Sequence, residues 1–91
     1  MRIYSDMMTW RHDPKHPTFV SALNLVPVYF GNKGEPFAAY RRLIETFNDA
    51  SWYNLDARPK LNDSVRRDVA TLLHEMSKSL KAGVTHVISP T

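Results

Sequence analysis

Between Asn62 and Gly83 the apolar residues Val65, Val69, Leu72, Leu73, Met76 and Leu80 recur at helical spacing. Advanced by about 100° per residue, they fall within an arc of roughly 100°, the width of one buried helix face. A chain whose longest patterned segment is one-sided in this way must set that face against another element. The pattern predicts a helix over 63–82, capped by Asn62 or Asp63 and ended by Gly83 as a left-handed C-terminal residue. The same wheel divides the exposed charges by sign. Arg66, Arg67, His74, Lys78 and Lys81 fall on one flank, Asp68 and Glu75 on the other.

A second stripe supplies the helix's packing partner. Pro36 suits the first position of a helix, and Phe37, Tyr40, Ile44 and Phe47 follow on one face, which predicts a helix over 36–49. Phe37, Ile44 and Phe47 are then expected to be buried together with Val69, Leu73 and Met76. Elsewhere the pattern reads differently. Arg2 to Trp10 alternates, with Ile3, Ser5, Met7 and Thr9 set against Tyr4, Asp6, Met8 and Trp10, as in a strand. His12-Asp13-Pro14-Lys15-His16-Pro17 breaks it, because its prolines bias the segment to extended or turn conformations. Thr18 caps a short helix through Leu25, although the Phe19/Ser21/Leu23/Leu25 spacing also fits a strand.

Val26-Pro27-Val28-Tyr29-Phe30 is β-branched and aromatic, which predicts a strand that Pro27 confines to an edge or to its first residue. Gly31-Asn32-Lys33-Gly34 reads as a turn. Trp52, Tyr53 and Leu55 make the segment between Asn48 and Leu61 a packed connection or a short strand. Val84 to Ile88 reads as a closing strand stopped by Pro90. This order predicts an α+β two-layer sandwich, its two main helices on one face of a sheet of about three to four strands. The order of elements, with Val26 to Gly31 before one helix and Ala82-Gly83 before the last strand, resembles the barstar-like ribonuclease inhibitors. That family's acidic inhibitory helix would correspond here to one bearing Arg41 and Arg42, so the resemblance implies a target of the wrong charge and the functional reading does not rest on it.

At 91 residues the chain is read as a single globular domain over 1–91. No apolar run approaches the roughly 18 residues of a membrane-spanning helix, and polar residues interrupt any signal-peptide core in the first 13 residues. The chain has no cysteine, which removes disulfides, thiolate nucleophiles and thiolate metal ligands and makes the cytoplasm the expected compartment. The net charge of +3 is spread evenly, so any basic patch must be assembled by folding.

His12 and His16 have the spacing of two zinc ligands on one helix face, but Pro14 between them and Pro17 after them exclude a helical site. A loop site would need further donors from Asp13, His74 or His86, and no metal or cofactor is expected. His74 and Glu75, with His86, invite an acid–base reading, yet nothing supplies a nucleophile. Gly31 to Gly34 lacks the Walker spacing of a phosphate loop. Among the aromatic residues outside the two main helices, Trp10, Tyr29, Trp52 and Tyr53, only Trp10 adjoins a cation, Arg11, as would suit stacking on single-stranded nucleic acid.

The basic residues remain. Lys78 and Lys81 sit where the helix dipole favours cations, by about 0.3 to 1 kcal/mol each, whereas Arg66 and Arg67 fall in the first turn of the predicted helix, where it opposes them. Arg41 and Arg42 form a second pair. Arg66, Arg67, His74, Lys78, Lys81, Arg41 and Arg42 are therefore the candidate partner-binding residues, set against a solvated face that serves solubility. With catalytic motifs excluded, the expectation is a non-enzymatic binding protein that docks on a protein partner, in the manner of the small accessory, inhibitor or regulator proteins of phages and mobile elements. A nucleic-acid-binding module using the basic helix faces is the alternative, although no helix-turn-helix spacing supports it.

Overall fold

In the computed structural model, which describes residues 2–88 and side chains as far as Lys81, every regular element is helical. The chain runs α1 (Arg2–Thr9), α2 (Pro17–Asn24), α3 (Val26–Phe30), α4 (Glu35–Phe47), two short 3-10 turns (Ala50–Tyr53 and Leu55–Ala57) and α5 (Arg58–Ile88). No strand occurs among the described residues, so the expected α+β sandwich, and with it the barstar-like element order, is corrected to an all-helical fold.

Each expected strand fails for a local reason. In the first, Ile3 and Met7 are also four apart, so a helix places them one above the other, and both are buried while Ser5 and Thr9 are exposed. Tyr4 and Met8 repeat that spacing at the edge of the core. Arg2 and Asp6 form an i,i+4 ion pair at 3.9 Å, and the Thr9 hydroxyl donates to the Ser5 carbonyl at 2.9 Å. In the second, Pro27 falls in the first turn of α3, where its missing N–H costs nothing. Val26 is buried there and Tyr29 N–H donates to Leu25 O, so burial and the preceding turn override β propensity. In the third, Gly83 lies inside α5, which runs on to Ile88. Pro90 lies outside the described residues.

Of the two main helices α4 stands close to its predicted limits, over Glu35–Phe47, whereas α5 begins five residues early at Arg58 and runs past the expected end at Gly83 to Ile88. Val65, Val69, Leu72, Leu73 and Met76 are buried as the periodicity predicts. On α4 the buried line is Ala39 and Leu43, while Tyr40, Ile44 and Phe47 are half-buried against it and Phe37 lies further out, its ring 5.8 Å from that of Tyr40. The helix is rotated so that its smaller residues meet the core.

Contacts close a ring from α5 to α1, α1 to α2, α2 to α3, α3 to α4 and α4 back to α5, with one core inside it. The α4–α5 contact is the most extensive. Gly31 (φ 81°) ends α3 and Gly34 (φ 88°) precedes α4, both in backbone conformations that disfavour any side chain.

The α1–α2 turn is held by His16. Its Nδ1 accepts the Thr18 backbone N–H at 3.1 Å, capping α2, and its ring stacks on Trp10 with centroids 3.5 Å apart. Replacing His16 by alanine removes the cap and the ring contact together, and chemical denaturation should show a loss of about 1 to 2 kcal/mol. Asparagine, which restores a capping acceptor without the ring, should recover part of it.

Candidate functional site

Beginning at Arg58 places Arg66 and Arg67 in the third turn of α5 rather than its first. The macrodipole acts over the terminal turns, so it does not oppose these two arginines, contrary to the expectation from sequence. Arg58 and Lys60 occupy the first turn instead, and no acidic residue accompanies them there.

The predicted basic flank divides in two. Arg67, His74, Lys78 and Lys81 share the outer face of α5, within an arc of roughly 60° at the helical advance per residue, and all four are exposed. Lys78 Nζ lies 3.5 Å from Glu75 Oε1, an ion pair whose lysine is exposed and whose carboxylate is largely covered. Arg67, His74 and Lys81 have no hydrogen-bonding or ionic partner among the described residues. Arg66 points about 100° away from Arg67. Its Nη1 lies 3.9 Å from Asp63 Oδ1, and it lines a hollow of about 500 Å³ with Arg11, His12, Pro14, Asn62 and Val65.

The acidic flank turns towards α4. Thr46 Oγ1 donates to Asp68 Oδ2 at 2.8 Å, and the Glu75 side chain is only 16% exposed. Asp68 is thereby drawn into the helix contact, while Glu75 is paired with Lys78, and the outer face carries the four cations with Asp63 at its start. Arg41 and Arg42 stand on α4, both exposed, with Arg41 Nη2 3.7 Å from Glu45 Oε1. They line neither hollow at the start of α5, so the two arginine pairs are not joined there.

A second basic region, which the sequence does not reveal, forms where the α1–α2 turn meets the connector from α4 to α5. Trp52 organises it. Its indole Nε1 donates to the Thr46 carbonyl at 2.7 Å, its carbonyl accepts from Arg58 Nε at 2.8 Å, and Lys15 Nζ lies 5.0 Å from its ring centre. Lys15, Trp52, Tyr53, Arg58 and Asn62 line a hollow of about 800 Å³ that also includes Asp49. Asp49 caps the 3-10 turn, and hydrogen bonds from the Ser51 backbone and side chain hold its carboxyl below the usual carboxylate range. The adjacency of Trp10 and Arg11 gave a partial signal for this region. Trp10 itself is engaged by His16, while the convergence of Lys15 and Arg58 depends on tertiary structure.

The catalytic and metal candidates remain dispersed. His12 is exposed, and His16 Nδ1 accepts the α2 capping bond. No three His, Asp or Glu side chains cluster as a metal site among the described residues. His74 faces outward, Glu75 pairs with Lys78, and the side chain of His86 lies outside the described residues. Between α1 and α2 runs an apolar groove lined by Ile3, Pro17, Ala22, Leu25 and Tyr29. No described helix is long and apolar enough to cross a membrane.

No curated protein and no solved structure matches the chain. One family model does, over residues 1–88, nearly the whole length on which the helical ring and its basic surfaces are built, and the chain thus belongs to DUF6680, a family of unknown function.

Proposed function

We propose that the protein is a non-enzymatic docking domain that binds an acidic protein surface through the outer face of α5. The observation that carries this reading is the run of Arg67, His74, Lys78 and Lys81 along one exposed arc, with Asp68 bonded to Thr46 of α4. A solvated face kept for solubility usually intersperses both signs. Here four cations follow one another along the arc, and the carboxylates nearest to them are Asp63 at its start, paired with Arg66, and Glu75 beside Lys78. Arg67 and Lys81 lack intramolecular ionic partners among the described residues, so pairing with a partner's carboxylates breaks no existing ion pair at either position. The cysteine-free composition is consistent with action in the cytoplasm. A protein is favoured over nucleic acid because the four cations form a narrow line on a single helix, less than the broad basic surface that a duplex would require.

The test is affinity capture from host lysate, with and without nuclease, comparing wild type with the Arg67→Glu, Lys78→Glu double variant. Both positions are exposed, so folding should change by about 0.5 kcal/mol or less at each. A protein retained by wild type after nuclease treatment should bind the variant about tenfold more weakly or worse, and raised salt should mimic the loss. Equal retention by both forms would remove this face from the binding surface. Retention abolished by nuclease, with a steep fall of log affinity against log salt, would identify nucleic acid instead.

A further inference from the structure

We infer that the hollows between the α1–α2 turn and the start of α5 bind an extended acidic peptide, at a site separate from the outer face of α5. Arg11 and Lys15 from the turn meet Arg58 and Arg66 from α5 in two hollows of about 500 and 800 Å³, and Asn62 lines both. The two hollows are therefore adjacent parts of one surface. Asp49 lies in the larger and Asp63 is engaged with Arg66, so the four cations outnumber these carboxylates.

Two of the cations are positioned by the fold. Lys15 sits against the Trp52 ring, and Arg58 donates its Nε to the Trp52 carbonyl while its two terminal nitrogens have no described partner. A guanidinium anchored through Nε presents its other nitrogens to a carboxylate at reduced entropic cost. Beside it the Tyr53 side chain is almost wholly bare, the residue being 92% exposed, although it lies next to the half-buried Trp52. An uncovered ring between cations offers contact area for an apolar residue interspersed among acidic ones.

Asp49 decides between a peptide and a nucleic-acid strand. Its carboxylate accepts the Ser51 backbone N–H at 2.8 Å and lines the same hollow as Lys15 and Arg58. A single strand carries a phosphate at every step and would meet that charge. A peptide backbone instead brings N–H donors, which Asp49 and the amide oxygens of Asn48 and Asn62 can accept, and places its carboxylates only at chosen side chains.

The test is an NMR titration of the isotope-labelled full chain with a short peptide alternating glutamate and leucine. The comparison probes are its lysine counterpart and a thymidine oligonucleotide of equal charge. The glutamate peptide should shift the Trp52 indole, Arg58 Nε–H and Asn62 side-chain signals in a saturable manner, and the lysine peptide should not. Lys15→Glu should weaken binding about tenfold, and Tyr53→Ala should weaken it measurably. Both positions are exposed, and unchanged thermal melting of the free variants verifies that the fold is intact. Arg67→Glu with Lys78→Glu should leave this affinity within about twofold, which separates failure here from failure of the outer-face reading. Binding unaffected by Lys15→Glu, or an oligonucleotide that occupies the same signals more tightly than the peptide, would overturn the inference.

Discussion

Replacing Phe19 by alanine is expected to remove about 3 to 5 kcal/mol of stability, as loss of a fully buried aromatic ring usually does. Phe19 heads the fully buried side chains in volume, with 0% exposure, and it joins the core enclosed by the ring of helices. Domains of this size commonly have about 5 to 15 kcal/mol in total, so the variant should be largely unfolded at 37 °C or melt more than about 12 °C below wild type. A control at Leu25 gives the measurement its meaning. The strand spacing Phe19/Ser21/Leu23/Leu25 would bury both Phe19 and Leu25, whereas α2 buries Phe19, Ala22 and Leu23 and leaves Leu25 40% exposed. Leu25→Ala should therefore cost much less than Phe19→Ala in the same thermal or urea melt. Equal losses would show that the segment faces the core in the other manner.

The Phe19 segment marks where sequence periodicity stops being decisive. Over the long run of α5 the period of 3.6 repeats enough times that Val65, Val69, Leu72, Leu73 and Met76 admit one reading, and all five are buried. Over eight or fewer residues the two periods overlap. Residues four apart such as Ile3 and Met7 share a face in a strand and in a helix alike, and β-branched Val26 and Val28 tilt the local preference towards a strand that the fold does not form. Pro27 fits both readings, since a proline is accepted at the edge of a sheet and in the first turn of a helix. The start of α5 was hidden for a related reason: Arg58, Pro59 and Lys60 carry no apolar stripe, and Asp63 offers a credible cap one turn later.

The basic surfaces divide in the same way. That Arg67, His74, Lys78 and Lys81 share a face follows from helical geometry, and so does their separation from Asp68 and Glu75. Only the α4 contact, through Thr46 and Asp68, shows which flank is turned towards a neighbouring helix. Adjacent arginines invite reading as a pair, yet the 100° between them sends Arg66 into the hollow with Arg11 and leaves Arg67 in solvent. Lys15 lies 37 residues from Trp52 in the chain and touches it only because the α1–α2 turn, fixed by His16, folds back over the connector.

Met7 provides the second large effect, and its test bears on the element that the sequence misread first. Its side chain is fully buried on α1, one turn beyond Ile3, and α1 contacts both α2 and α5. Met7→Ala should destabilise by about 2 to 5 kcal/mol, with the spread set by how far the neighbouring helices collapse into the space left behind. Thr9 supplies the contrast. In the alternating strand it would share a face with Ile3 and Met7, but on α1 it is exposed, and its hydroxyl makes one local bond to the Ser5 carbonyl. Thr9→Ala should stay within about 0.5 kcal/mol of wild type, because exposed helical sites away from caps and cores rarely cost more. Denaturant titration of both variants, read by far-ultraviolet circular dichroism, gives the two numbers directly. Comparable losses at Thr9 and Met7 would return the segment to a strand, in which the two share a face, and the ring of contacts from α5 through α1 to α2 would be broken at its first link.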